Sequence, residues 1–300
     1  MNTVRSADGT QIDAITFGAQ TSDVSQGRFP NGTGSTTNFV GTASPEAANY
    51  LATWIGPVIN EVLARNRNIT VGTQIVDYVE LLNPNGSSFN LGGLSLSVNS
   101  QQAGEFVFPT GTSIAANSYL LIKCDGASPA STNAGAFNIG ESLDGESGGV
   151  YLFNTNGQVV NFVAYGPQVD NLSIGLSGGQ WRLLSAATPG AANASAAILG
   201  NTTALRLNEW MPNDANGKDD WFELFNTTNR PVDLSNISLS DDPSLVGQGK
   251  FRPAPLSFIG PTNFVKWIAD NNAGNGRNHV NFSLDGDGDA AGPDDYDVGT

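Results

Sequence analysis

The chain repeats itself, and that limits its fold more than any composition figure, because blocks recurring in fixed order mean copies of one small unit rather than a single large core. Val58-Ile59-Asn60-Glu61-Val62 returns as Arg206-Leu207-Asn208-Glu209-Trp210, and Asp77-Tyr78-Val79-Glu80-Leu81-Leu82-Asn83 returns as Asp220-Trp221-Phe222-Glu223-Leu224-Phe225-Asn226. Asn90-Leu91-Gly92-Gly93-Leu94 is answered by Asp233-Leu234-Ser235-Asn236-Ile237, and Ser142-Leu143-Asp144-Gly145-Glu146 by Ser283-Leu284-Asp285-Gly286-Asp287. A further copy of the closing part stands at the start. There Ile12-Asp13-Ala14-Ile15 parallels Val160-Asn161-Phe162-Val163, and Ala43-Ser44-Pro45-Glu46-Ala47-Ala48-Asn49 parallels Ala187-Thr188-Pro189-Gly190-Ala191-Ala192-Asn193. The expected organisation is a complete unit over 55–193, a C-terminal remnant of a unit over 1–49, and the N-terminal part of a further unit over 205–300.

Within the complete unit, the runs 58–63, 76–82, 94–98, 119–123, 150–153 and 159–165 are short and rich in β-branched or aromatic residues, which predicts strands. Between them lie Asn83-Pro84-Asn85-Gly86, Pro109-Thr110-Gly111, Asp125-Gly126 and Asn156-Gly157, residue types that preset turns or tolerate positive φ. Several short strands at this spacing predict an all-β, antiparallel sandwich. The period of two puts Val79 and Leu81 toward the core, with Phe222 and Leu224 as their counterparts. Glu80 and Glu223 then fall on the outer face beside Tyr78 and Trp221. The Ala-rich joints around 44–48 and 191–199 read equally well as a short helix or a coil linker.

These blocks resemble the lamin tail domain, an immunoglobulin-like sandwich. The resemblance rests on Ile59-Asn60-Glu61, Asp77 to Asn83, Asn90-Leu91-Gly92-Gly93-Leu94, and a closing Ser173-Ile174-Gly175 with Trp181 and Thr188-Pro189-Gly190 before Asn193. It implies immunoglobulin-like β-sandwich units in tandem, joined by short Ala-rich linkers. Activity is not implied: bacterial members of the family are accessory modules of secreted or surface proteins, and the lamin relatives bind protein. The first copy departs from the pattern at Ser25-Gln26-Gly27-Arg28 and Ser44-Pro45-Glu46, and the last lacks the closing motifs.

Charge and residue usage remove several function classes. With 28 acidic against 13 basic residues the formal charge is -15, which repels a phosphate backbone, so nucleic acid is not an expected partner. No run approaches the length of a membrane-spanning helix, and no signal peptide is visible at the start. One cysteine, Cys124, rules out an intramolecular disulfide and a Cys-based zinc cluster, and one histidine, His279, reads as a solvated loop residue.

Candidate chemistry is sparse. Gly175-Leu176-Ser177-Gly178-Gly179 fits the Gly-x-Ser-x-Gly spacing of a nucleophile elbow, which needs a helix after it, whereas Gln180-Trp181-Arg182-Leu183 reads as strand. The alternating acids Asp285, Asp287 and Asp289, with Asp294 beyond them, could surround calcium with oxygen. Ala290 and Tyr296 stand where an EF-hand loop needs Gly and Glu, so the competing reading is a solvated acidic loop. Asp219-Asp220 and Asp241-Asp242 read as surface charge. Trp54, Trp181, Trp210, Trp221 and Trp267 could stack on sugars, or lie on sandwich edges and between units, and the sequon Asn171-Leu172-Ser173 is expected to stay unmodified.

The expectation is a non-enzymatic structural or adhesive module of a secreted or cell-surface bacterial protein, with protein or cell-surface partners and no cofactor other than a candidate calcium. The alternatives are a calcium-assisted glycan- or protein-binding module and an accessory domain of a larger secreted hydrolase. The partial units at the two ends can pair, within one chain in the first instance or between chains, the remaining alternative being ends that stay loose or poorly covered.

Overall fold

A computed structural model of the 300-residue chain describes residues 2–6, 8–15, 17–18, 24–29, 32, 35–40, 49, 54–99, 102–212, 218–242 and 250–284. It divides into two compact units, Met1–Trp54 and Ile55–Thr300. Among the described residues the regular elements are β-strands, apart from a single 3-10 turn at Thr202–Ala204.

The first unit holds two hairpins. β1 (Asn2–Arg5) pairs with β2 (Gln11–Ile15), and β3 (Val24–Phe29) pairs with β4 (Ser35–Val40). An ion pair from Arg28 to Asp13 at 2.7 Å joins them, and Phe29 meets Phe39 edge to face. Asn49 donates to the Arg28 carbonyl at 2.9 Å.

The second unit begins with an immunoglobulin-like sandwich. Its strands are β5 (Val58–Leu63), β6 (Thr70–Val71), β7 (Gln74–Ile75), β8 (Asp77–Asn83), β9 (Phe89–Asn90), β10 (Ser95–Ser97), β11 (Phe106–Val107), β12 (Ser113–Ile114), β13 (Ser118–Cys124), β14 (Gly148–Phe153), β15 (Val159–Tyr165), β16 (Ile174–Ser177) and β17 (Gln180–Leu183). One sheet runs β13-β8-β5-β16-β17 and the other β11-β10-β14-β15, while β6-β7 and β9-β12 form small ribbons. Alternation along the strands sends Val79, Leu81, Ile122, Leu152 and Val163 into the buried layer, where burial of each such side chain contributes about 1.5–3 kcal/mol. Phe106, Phe108 and Phe137 pack edge to face with one another. Ile59 N–H donates to the Asn161 side chain at 2.8 Å, tying β5 to β15.

A second, smaller domain follows with β18 (Leu205–Met211), β19 (Asp220–Asn226), β20 (Val232–Asp233), β21 (Phe258–Ile259) and β22 (Phe264–Ala269), in sheets β18-β19-β22 and β20-β21. Trp267 is fully buried among Phe222, Leu224, Val265, Val280 and Phe282. The two domains are stitched by hydrogen bonds. Phe258 N–H donates to the Pro167 carbonyl at 2.7 Å, Gln168 Nε2 to the Leu256 carbonyl at 2.7 Å, and Arg277 N–H to Ser147 Oγ at 2.8 Å.

Two of the recurring blocks adopt similar local structure. In the β5–β8 ladder the register shifts at Asn60, and in the β18–β19 ladder it shifts at Asn208, the equivalent residue. Asn83 and Asn226, the last residues of the recurring block, are both buried and bind their surroundings alike. Each Nδ2 donates to carbonyls of neighbouring loops, Ser87 and Ile114 for Asn83, Arg230 and Gly260 for Asn226. The joint 191–199 contains no helix; it is irregular, with Ala196 bridged to Leu184. Residues 44–48 lie outside the described residues.

Candidate functional site

The bulge at Asn60 places Asn60 and Glu61 on β5 beside Glu80 on β8, and all three side chains are buried. A carboxylate needs donors if it is to lose water, because an unpaired buried charge is costly. The donors come from more than a hundred residues later. After β17 the chain crosses the outer face of the five-stranded sheet as a strap. There the Thr188 amide donates to Glu61 Oε1 at 2.9 Å and the Thr188 hydroxyl to Glu61 Oε2 at 2.9 Å, while Ser173, just before β16, donates from its Oγ to Glu61 Oε1. Glu80 accepts from Asn60 Nδ2 at 2.8 Å and from the Gly190 amide at 2.6 Å. Asn193 closes the strap, accepting from Asn60 Nδ2 at 2.8 Å and donating to the Asn60 and Leu176 carbonyls at 3.0 and 2.9 Å.

Two glycines make room for this arrangement. A Cβ on Gly175 would sit 2.7 Å from Leu184 Cδ1, 2.8 Å from Asn193 Nδ2 and 3.0 Å from the Asn60 carbonyl, so no larger residue fits between β5 and the strap. Gly190 has φ +80°, a left-handed conformation that lets its amide turn toward Glu80. Beside the carboxylates, Ala187 of the strap packs with Tyr78, Leu63 and Val71 in a small apolar cluster.

Burial pushes the Glu80 carboxyl up to about 7, against the opposing pull of its Asn60 and Gly190 hydrogen bonds and with a further rise from Glu61. Burial and the same carboxylates raise the Tyr78 phenol. A carboxylate that titrates near neutrality could act as a general acid or base. Here both oxygens are committed to strap and strand donors, and the group is closed off from solvent.

The period of two places Glu80 on the outer face correctly but gives no sign that this face is covered. In the smaller domain the same constellation lies open. Asn208 Nδ2 donates to Glu223 Oε1 as Asn60 does to Glu80, yet Asn208 and Glu209 are exposed, and Leu207 and Trp210 on the same strand are 64% and 62% exposed.

The other candidates separate cleanly. Asp285, Asp287, Asp289 and Asp294 lie outside the described residues. Ser177 sits at the tip of the β16–β17 hairpin, where Gly178 and Gly179 have positive φ and a strand follows, so the turn is a hairpin and not an elbow into a helix. His279 is held rather than solvated: its Nδ1 lies 2.8 Å from Asp270 Oδ2, and it bridges Ile268. Asp241 pairs with Lys250 at 2.7 Å, Asp220 accepts from the Leu284 amide at 3.1 Å, and Asp219 is exposed. Trp181 and Trp210 lie on the edge strands β17 and β18, whereas Trp267 is core. In the sequon, Asn171 accepts from the Arg67 and Asn68 amides at 2.7 and 2.9 Å, and Ser173 is buried.

Asn60, Glu61, Glu80, Thr188 and Asn193 mark the family resemblance in the sequence, but reading them along the chain misses that they form one network around two buried carboxylates. The available signal is the recurrence of two strand acids together with a polar Thr-Pro-Gly segment.

Residues 56–167 match the family model described as Lamin Tail Domain, an immunoglobulin-like family, in keeping with the sandwich these residues form. The match spans β5 to β15, and β16, β17 and the strap follow it in the chain. No curated protein and no solved structure matches the chain.

Proposed function

We propose, from the premise that residues 56–167 form a lamin tail domain, that the chain is a structural or adhesive module of a secreted or cell-surface bacterial protein, working without catalysis. One observation carries the reading: the most perturbed carboxylate in the tail domain, Glu80, is used to fasten the strap, and its neighbours Asn60 and Glu61 are used the same way. Polar groups consumed in closing a fold serve architecture. The partners expected of such a module are proteins or cell-surface components. The test is fractionation of the producing cells, with the chain expected in the medium or envelope fraction. Confinement to the cytoplasmic fraction overturns the placement.

A calcium-assisted binding module for glycans or proteins is the second reading, favoured by the alternating acids from Asp285 to Asp294. Under it, millimolar calcium raises the melting temperature, since a ligand bound only by the folded form stabilises it, and Asp287→Asn with Asp289→Asn abolishes the gain. An unchanged melting temperature leaves the acids as a solvated loop.

A further inference from the structure

The paired Asp270 and His279 flank an exposed loop, 271–276, in which Asn275 is followed by Gly276. An asparagine ahead of glycine is reactive, because a glycine amide with no side chain beside it can approach the Asn carboxamide carbon. Attack by that nitrogen closes a succinimide ring, ammonia leaves, and water reopens the ring to aspartate or its β-linked isomer. The described residues contain three such pairs, Asn85-Gly86, Asn156-Gly157 and Asn275-Gly276. The last is surrounded by groups that serve each part of the reaction.

The nucleophile is available. Among the described residues the Gly276 amide has no acceptor, and only its carbonyl is engaged, accepting from the His279 amide at 3.1 Å. The His279 ring lies against it, since a Cβ on Gly276 would be 3.1 Å from Cδ2 and 3.7 Å from Nε2. At the electrophile, Asn272 Nδ2 donates to Asn275 Oδ1 at 3.1 Å, on the oxygen that gathers negative charge as the ring closes. At the leaving group, Asn275 Nδ2 donates to Asp270 Oδ2 at 2.7 Å, and the same oxygen lies 2.8 Å from His279 Nδ1. Desolvation raises the Asp270 carboxyl, but the hydrogen bonds from Asn275 and His279 outweigh it and hold the group below its ordinary value. An ionised Asp270 fixes the imidazole proton on Nδ1, which leaves Nε2 as the acceptor.

We propose that Asn275 is a self-modifying site, converted to aspartate and isoaspartate by a proton relay through His279 and Asp270. His279 Nε2 takes the Gly276 amide proton as that nitrogen bonds to Asn275 Cγ. Nδ1 passes its proton to Asp270, and Asp270 hands it to Nδ2 as the Cγ–Nδ2 bond breaks. The nitrogen departs as ammonia and one water opens the ring, so no other reactant is needed. Two residues on, the Arg277 amide donates to Ser147 Oγ at 2.8 Å, one of the bonds that stitch the smaller domain to the sandwich. Conversion deprives Asp270 of a donor and sets a second carboxylate beside it, and the β-linked product lengthens the backbone ahead of Arg277. The loop is thereby a slow, one-way release on the seam between the two domains.

The experiment follows the unaltered full chain at neutral pH with gentle warming, reading the mass change from amide to acid at each pair. Trypsin cleaves after Lys266 and Arg277 and releases Asn275 in the peptide Trp267–Arg277, where fragmentation localises the change. Asn85 and Asn156 are built-in controls. Asn85 Nδ2 donates to the Ile55 carbonyl and to Asn83 Oδ1 instead of an acid, and the Gly157 amide is committed to the Asn154 carbonyl at 3.0 Å. In the folded chain Asn275 is expected to convert at least about tenfold faster than either control, a margin below what a positioned proton-transfer group usually contributes. In denaturant the three rates are expected to converge, since glycine follows each asparagine. His279→Gln keeps a donor for Asp270 but has no ring nitrogen to take the Gly276 proton, and is expected to remove the lead. Asn275 converting no faster than the controls in the folded chain overturns the proposal, and so does a lead that persists in denaturant or in His279→Gln.

Discussion

At the scale of single residues, the site turns on Glu80, whose carboxyl titrates near about 7 against an ordinary 4.5 because burial outweighs its two hydrogen bonds. The sign follows from linkage. Between those values the folded domain holds a proton that the unfolded chain has released, so this group's contribution is fullest below the unfolded value and is lost as pH rises through the folded one. The half-buried Asp77, also raised by desolvation, acts in the same direction. Thermal melting of the chain from about pH 5 to about pH 8 is expected to show a fall in midpoint that Glu80→Gln flattens. An unchanged slope in the variant would show that Glu80 titrates as it does in water. Gly175 offers a steric test of the same contact. Gly175→Ala drives a methyl against Leu184, Asn193 and the Asn60 carbonyl, and is expected to cost about 1–3 kcal/mol in chemical denaturation.

At the scale of elements, strand positions were legible and their coverage was not. The strand predicted at 58–63 coincides with β5, and that at 159–165 with β15, because β-branched and aromatic runs bounded by turn residues leave little choice. Which residues share a face of β8 was equally legible, since the pleat alternates. What alternation cannot say is whether a face meets solvent. Tyr78 and Glu80 share the face that a free sheet would expose, and a segment beginning more than a hundred residues later buries both. That decision is non-local and leaves no periodic trace. β18 shows the converse: its Asn-Glu motif is the same as that of β5, yet it carries six exposed residues out of seven. The Ala-rich joint at 191–199 failed to become a helix for a related reason, as Asn193 and Ala196 are held to the sheet on which the strap lies.

At the scale of the molecule, the sandwich that begins after Ile55 and the smaller group of strands that follows it are joined by backbone hydrogen bonds as well as side chains, which couples their unfolding. Gln168 is the pivot: its buried Nε2 donates to the Gly166 carbonyl at 2.9 Å and across the joint to Leu256. Gln168→Ala is expected to lower the midpoint and to separate one calorimetric transition into two, whereas a single unshifted transition would deny the coupling. The strap has a further consequence, in time rather than in space. Its terminal lock joins Asn60 to a partner 133 positions later, so a chain emerging from the ribosome must make nearly the whole domain before Asn193 can seat. Until then, the nascent β5 face is as open as that of β18. Contacts of such sequence separation form late, after the costlier loops have closed. Asn193→Ala is therefore expected to leave the refolding rate nearly unchanged and to accelerate unfolding, the kinetic signature of a latch set after the rest of the domain is in place.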